Sequence, residues 1–343
     1  PGGKHTIYEY DNNARITRSE HDDGSWETYS YDRNGNLIEA VNAESTVQLI
    51  RDNSGRVTAE YQDGHFVKST YDALGNRLKI SSSLGAETNF LRNKWGQIET
   101  INAQVQKTAP TSDQKSKEEN PLQTNKKAAP WSANFSYNSI GMEVERLLPG
   151  GIVSQKKYDE AGNPIQHTIT RNHKKLRHKT YDWDVNNRLR NMVDQLTKGM
   201  VCYTHDNFGN LATAKYENHH TDYKLPDEIG NLYHTKDKSD RVYGPGGQLL
   251  KAKGNTFKYD QEGNLITKTN AEGQFKYTWY GNGMLKSINR PDHKTISFEY
   301  DALGRRTAKL FNKKIHRYVW DGNVPLHEWT YKITDRPNLV VDQ

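Results

Sequence analysis

Several residues in this 343-residue chain have the types that catalysis or ligand binding would use. Aspartates recur at a near-constant interval, at Asp11, Asp32, Asp72, Asp159, Asp260 and Asp301, and paired carboxylates are the equipment of general acid/base chemistry. One carboxylate per period, however, is what turn capping requires, because an Asp side chain can accept from the backbone two residues on. His219, His220 and Asp222 are metal-ligand types, but adjacent histidines on a strand face opposite ways and leave a weak two-ligand site. His327-Glu328 and the lone Cys202 offer base and nucleophile types, and both read as structural positions. The basic runs Arg171–Arg177 and Lys313–Arg317 could meet a polyanion; with acidic residues interspersed they read as solvated hairpin tips, and no nucleic-acid partner is expected. Motifs of the forms GxxxxGK[ST], GxSxG and HExxH are absent, and Gly244-Pro245-Gly246-Gly247 falls where a turn is due. No catalytic residue, metal or cofactor is therefore assigned.

The elements that carry these residues follow from composition and period. Only 33% of the chain is hydrophobic and the mean hydropathy is −1.01, which argues against a conventional globular enzyme. An aromatic content of 10%, with 20 tyrosines against 8 phenylalanines, argues equally against disorder and means that buried rings need hydroxyl partners. A single cysteine excludes an intrachain disulfide. The net charge of +6, from 48 basic and 42 acidic residues, is a mixed surface. No apolar run reaches the roughly 18 residues of a membrane span, and residues 1–20 lack a signal-peptide pattern, so export is not encoded here.

The dominant feature is an internal repeat, Tyr-Asp-x-x-Gly-Asn/Arg. It occurs at Tyr10-Asp11, Tyr31-Asp32 with Gly35, Tyr71-Asp72 with Gly75, Tyr158-Asp159 with Gly162, Tyr259-Asp260 with Gly263, and Tyr300-Asp301 with Gly304. Degenerate copies fill the gaps, among them Arg51-Asp52, Arg92-Asn93, Tyr137-Asn138, Trp183-Asp184, His205-Asp206, Pro226-Asp227 and Trp320-Asp321. Asp opening a type I turn and Gly closing it at positive φ make each copy a hairpin turn. A second turn signal sits near mid-period, as in Asp22-Asp23-Gly24, Asp63-Gly64 and Pro149-Gly150-Gly151, so each unit is two short strands.

About fifteen units predict roughly thirty strands, far more than a flat open sheet sustains, so the sheet must curl. With so little aliphatic residue, a single-layer wall held by hairpin bonds and ring ladders is the expected solution. At about 4.8 Å per strand, thirty strands make a strip of roughly 140 Å. One ring of that length stays open at both ends, so enclosing a cargo would need further repeats or another subunit. The walls are expected over 1–103 and 131–343, the second continuous with the first, separated by a flexible polar insertion over 104–130.

The tandem units, with YDALGRR at Tyr300–Arg306 and RYVWDGNVPLHEW at Arg317–Trp329, resemble the Rhs/YD-repeat family across almost the whole chain. The family includes bacterial Rhs polymorphic-toxin cores, insecticidal toxin-complex cages and teneurins. The resemblance implies a spiralling hollow β-cage, and in bacterial members a cage around a C-terminal toxin delivered in competition between cells, by routes such as type VI secretion. The partners it implies are the remainder of the parent protein with its enclosed toxin, and a secretion spike or chaperone. The chain departs from the family at the DPxGL motif of the self-cleaving aspartyl protease, because no Asp-Pro dipeptide occurs. The expectation is a non-catalytic, all-β segment of cage wall from the C-terminal half, secreted with its parent. The alternative is an extracellular carbohydrate- or cell-surface-binding repeat protein.

Overall fold

The structure, a computed structural model, describes residues 5–105 and 131–333. It contains 31 β-strands and, among the described residues, no helix except the single 3-10 turn Pro245–Gly247. Strands of five to eight residues prevail, as the two turn signals per period require; Lys174–Trp183 and Val324–Lys332 are the long exceptions. The strands from Thr6–Tyr10 to Thr221–Tyr223 belong to a 19-stranded antiparallel sheet, and those from Arg241–Tyr243 to Val324–Lys332 to a ten-stranded one. Between them, Leu225–Pro226 and Leu232–Tyr233 form a separate two-stranded piece.

Among the described residues the strands beyond residue 131 fall into separate sheets on either side of this pair, where the sequence expectation was one continuous wall. The break coincides with Pro226, which stands at the tyrosine position of its repeat. Proline supplies neither a backbone N–H for the ladder nor a ring donor, and the neighbouring strands shrink to two or three residues. The insertion boundary also shifts. Gln104 and Val105 complete the strand Ile98–Val105, opposite Glu87 and Ala86; residues 106–130 lie outside the described residues.

The repeat builds one turn many times. In Asp32–Asn36 the Gly35 amide donates to the Asp32 carbonyl (3.0 Å), and the Asp32 amide to the Asn36 carbonyl (2.9 Å). Gly35 takes φ 87°, as do Gly75 and Gly162, with Gly263 at 85° and Gly304 at 76°. Each turn is followed by a register shift at its aromatic residue, so that Tyr31 faces Leu37 while Ser30 faces Glu39. A glycine in the left-handed region with a one-residue bulge is the economical closure for such a hairpin, and it twists the strands as well.

The chain divides into two compact units. Unit 1 comprises Pro1–Tyr71, Ile80–Gly85 and Gln248–Gln343; unit 2 comprises Asp72–Lys79 and Ala86–Gly247. Among the described residues most of the buried apolar side chains belong to unit 1, including Val47, Ala59, Val67, Ile80, Ala308, Ile315 and Val319, whereas unit 2 has Ala133, Val201 and Ala214. Unit 1 thus joins the first and last repeats around a small core, which a purely single-layer wall would lack. Unit 2 comes closer to that expectation.

Candidate functional site: the turn hooks and the seam of unit 1

Each predicted turn aspartate is saturated by its own loop. Asp32 Oδ1 accepts from the amides of Asn34 (2.9 Å) and Asn36 (2.8 Å), and Oδ2 from the Asn36 side chain (2.9 Å). The same bonds recur at Asp72 with Leu74 and Asn76, at Asp159 with Asn163, and at Asp260 with Glu262 and Asn264. Where Arg replaces Asn, as at Asp11-Arg15 and Asp301-Arg305, the guanidinium Nε takes that place. With both oxygens held by its own loop, each carboxylate acts as a structural clamp of the turn.

Four of the six predicted repeat tyrosines reach back one unit. Tyr31 donates to the Ile16 carbonyl (2.9 Å), Tyr71 to Val57 (2.8 Å), Tyr158 to Glu143 (2.8 Å) and Tyr259 to Leu249 (2.9 Å). The acceptor is always two residues past the closing residue of the preceding turn, where the bulge leaves a carbonyl outside the ladder. Trp183, Trp279 and Trp320 make the same bond through indole Nε1, to Pro164, Leu265 and Arg306. Arg51, at a tyrosine position, bonds Leu37 (3.1 Å). The position thus requires a long side chain with a terminal donor, which is why Tyr outnumbers Phe. Tyr10, in the first repeat, is 57% exposed. Tyr158→Phe is expected to lose about 0.5–1.5 kcal/mol and Tyr158→Trp less, in urea denaturation; equal losses would contradict a donor role.

The acid response follows from these loops. The turn hydrogen bonds hold Asp11, Asp32, Asp72 and Asp184 below 3.8, the Arg15 amide being foremost at Asp11 and the Asn36 side chain at Asp32. At Asp52 and Asp159 burial is the largest influence and acts upward, but the loop bonds outweigh it. A carboxylate lowered on folding stabilises above its unfolded value, and that contribution is lost as pH falls below about 3.8. Burial depresses His65, His167 and His327 from 6.5, so their contribution declines earlier, as pH falls below about 6.5. A melting temperature that declines in two stages on acidification is expected; a flat profile down to pH 3 would refute the assignment.

The distinctive cluster lies where the first and last repeats of unit 1 meet. Arg305, clamped to Asp301, also donates through Nη1 to the Glu60 carboxylate and to the Gly322 carbonyl (2.7 Å). Glu60 Oε2 accepts from the Gly322 amide (3.1 Å). Asp301, Arg305 and Glu60 are 2%, 7% and 4% exposed. Beside them the Gln62 amide bonds both backbone groups of Trp320, Asn42 bonds the Tyr300 carbonyl (2.9 Å), and Asp23 accepts from the Gly281 amide (2.8 Å). These last three joints each span 258 residues, so the two runs meet in one constant register. Tyr29 donates to the Ala302 carbonyl (3.1 Å), and burial, with Glu27 nearby, pushes its hydroxyl up to about 12. Ser82 and His327 Nε2 lie 2.7 Å apart, and His65 stacks edge-on against Trp329.

The other candidates fall elsewhere. His219 and His220 occupy a hairpin turn, with His219 at φ 63°, and not a strand; His220 contacts Asp222 (2.9 Å) in an exposed pair. Among the described residues no three His, Cys, Asp or Glu side chains group to hold a metal ion. Cys202 is half-buried on Met200–His205. Gly246 and Gly247 take φ 66° and 75°, as turn residues do. In the basic runs, Asn172-His173 and Asn312-Lys313 form the tips, and Arg317 pairs with Glu299 (2.7 Å). Sequence reading passed over Glu60, Gln62 and Asn42. The faint signal was a polar side chain near the end of a strand that runs into a second turn.

Comparison with known proteins places this arrangement. The probable deoxyribonuclease RhsB of Dickeya dadantii is 28% identical over 118 residues, covering 32% of this chain and 8% of the relative. The tRNA nuclease WapA of Bacillus subtilis is 26% identical over 130 residues, 36% of this chain and 5% of the relative. The chain thus spans less than a tenth of these proteins. Among solved structures, the TcdB2-TccC3-Cdc42 crystal structure superposes with a TM-score of 0.56 at 13% identity, over 93% of this chain and 20% of that one. The Photorhabdus luminescens Tc holotoxin pore gives 0.50 at 12%, over 95% and 21%. These two likenesses concern the fold. The Teneurin YD-shell family model matches residues 134–321, more than half of the chain, and the chain belongs to that family of YD-repeat proteins.

Proposed function

We propose that these repeats are a structural shell segment of an Rhs/YD-repeat toxin, which encapsulates a C-terminal toxic effector and helps deliver it in competition between bacteria. The observation that carries this reading is the seam. It joins two runs of hairpins side by side through buried polar bonds in constant register, as a wall that must retain a cargo requires. RhsB and WapA, by name nucleases, match this chain over less than a tenth of their length, consistent with the same wall serving different cargoes. The effector, a secretion spike or chaperone, and export with the parent protein belong to the same proposal. In the full-length protein, the effector should resist protease while the wall is intact and become cleavable when Glu60 and Arg305 are both replaced by alanine. Equal cleavage of both forms would refute containment.

The segment itself is proposed to be non-catalytic, since the family's self-cleavage depends on a motif containing Asp-Pro, which this sequence lacks. A discrete self-cleavage product abolished by one Asp substitution would overturn that. The carbohydrate-binding alternative has one observation in its favour, a groove of about 740 Å³ lined by Trp95, Phe135, Tyr137 and Ile140 with amide side chains around it. Titration with soluble oligosaccharides, read by tryptophan fluorescence, should leave the signal unchanged if the shell reading holds.

A further inference from the structure

Antiparallel pairing gathers charge in unit 2 that the sequence spreads out. The adjacent strands Ile152–Tyr158, Pro164–Arg171 and Lys174–Trp183 carry seven Lys and Arg residues and one acid, Asp182. That surplus of six equals the net charge of the whole chain. Residues directly opposite in register share a face of the sheet. On one face Lys156, His167 and Lys179 make a row across the three strands, and Arg146, Ser154, Ile169 and Arg177 make the next. Four cations thus surround a histidine and a serine whose Nε2 and Oγ lie 2.9 Å apart.

Few carboxylates answer them. Asp182 belongs to the opposite face, where Asn191 bonds it (3.0 Å). Asp159 and Glu160 lie in the connecting turn, and Asp159 is held by its own loop. On the cationic face Glu143 pairs with Arg146 (2.7 Å) and Lys156 (3.4 Å). Asp194, opposite Lys179, accepts from the Leu196 amide of its own turn (3.0 Å). Lys179 Nζ meets the Met192 sulfur (3.4 Å), and Arg177 is exposed with no carboxylate partner among the described residues. The unspent potential acts on His167: burial first, then Arg177, Lys156 and Lys179, hold it below 6.5, with Glu143 acting upward. These strands are paired on both sides, so their backbone groups belong to the ladder and a ligand must be held by side chains alone. Such a site favours a small ligand of several charges. A peptide carboxylate brings one, whereas linked phosphoryl groups bring more, each with oxygens for ammonium and guanidinium donors.

We propose that this face of unit 2 binds an oligophosphate, an anion of two or more linked phosphoryl groups, between Lys156, Lys179 and Arg177 and over the His167-Ser154 pair. The lysines neutralise its charge, Arg177 supplies a planar fork, and the imidazole donates once protonated. A bound anion favours that protonated ring, so affinity should rise as pH falls toward and below about 6.5. The site lies within unit 2 and needs no enclosed cargo, so it stands apart from the shell reading.

Isothermal titration of the full chain with sodium tripolyphosphate at about 50 mM salt should give a dissociation constant below about 1 mM, weakened at about 200 mM salt. Inorganic phosphate should bind about tenfold more weakly. Lys156→Gln with Lys179→Gln should weaken tripolyphosphate binding about tenfold or more. Lys157→Gln with Lys215→Gln removes the same charge from the opposite face and should change affinity less than about twofold. His167→Gln should lose the part of the pH response that belongs to the imidazole, gaining less affinity between about pH 8 and 6 than the unaltered chain. No binding at about 1 mM, equal losses in the two lysine pairs, or a pH response that His167→Gln retains in full would overturn the proposal. So would an oligothymidylate of about twelve nucleotides bound more tightly than tripolyphosphate, which would make this face a nucleic-acid surface. Unchanged melting temperatures will separate loss of the site from loss of the fold.

Discussion

Arg305→Ala is expected to remove about 3–5 kcal/mol from unit 1, because it leaves the buried Glu60 carboxyl group with its main partner gone. The Arg305 and Glu60 side chains are 6% and 5% exposed, so little water can take the place of the guanidinium. The same substitution also frees Asp301 and the Gly322 carbonyl. Arg56 supplies the internal comparison. It makes the same clamp to Asp52, but those side chains are 31% and 25% exposed. Arg56→Ala should cost about 1 kcal/mol or less. Arg305→Lys should fall between the two alanine variants, since an ammonium cannot hold Asp301, Glu60 and Gly322 with one planar fork. Urea denaturation with hydrogen exchange resolved by unit would show the loss in unit 1; similar small losses at Arg305 and Arg56 would remove the seam from its central place.

The second large effect is expected from Ile315, which is fully buried on the strand Lys314–Asp321. That strand packs against Val57–Gln62 and His65–Tyr71, so Ile315 helps to hold the last repeats on the first. Ile315→Ala removes three carbons from a site with few aliphatic neighbours to collapse into it. A cost of about 2–5 kcal/mol is expected. Ile50→Ala, at a strand position 51% exposed, should change stability by about 0.5 kcal/mol or less. In the Ile315 variant, exchange should accelerate in residues 46–71 as well as in 306–332, although the substitution touches only the second range. Acceleration confined to residues 306–332 would mean that the two runs are not held by this core.

How much was legible beforehand can be argued from two aspartates. Asp32 and Asp301 share the Tyr before and the Gly three residues after, accept from the same loop amides, and were both identified as turn residues from spacing alone. Locally they differ at the residue after Gly, Asn36 in one and Arg305 in the other, which does not by itself reveal burial. Asp301 becomes 2% exposed only because Glu60 arrives from a run of chain far away in the sequence. The number of strands, their lengths and the conformation of the glycines were readable for the same reason: the hydrogen bonds that decide them close within five residues. The exchange of Tyr for Trp was visible as a degenerate motif, but its meaning, a donor reaching the preceding repeat, needed the positions of both turns.

The sequence by itself thus determined an all-β chain of tandem hairpins, its turn chemistry and its family resemblance, because each repeat specifies its own loop through Asp, Gly and the residue after Gly. Only the tertiary structure decided which repeats share a core, where the sheet breaks at Pro226, and which polar strand ends become a seam. Gln62 and Asn42 look like ordinary solvated residues in sequence. Their partners, the backbones of Trp320 and Tyr300, lie 258 residues away, and a contact at that distance is set by how successive twists accumulate along the wall, which no local pattern records.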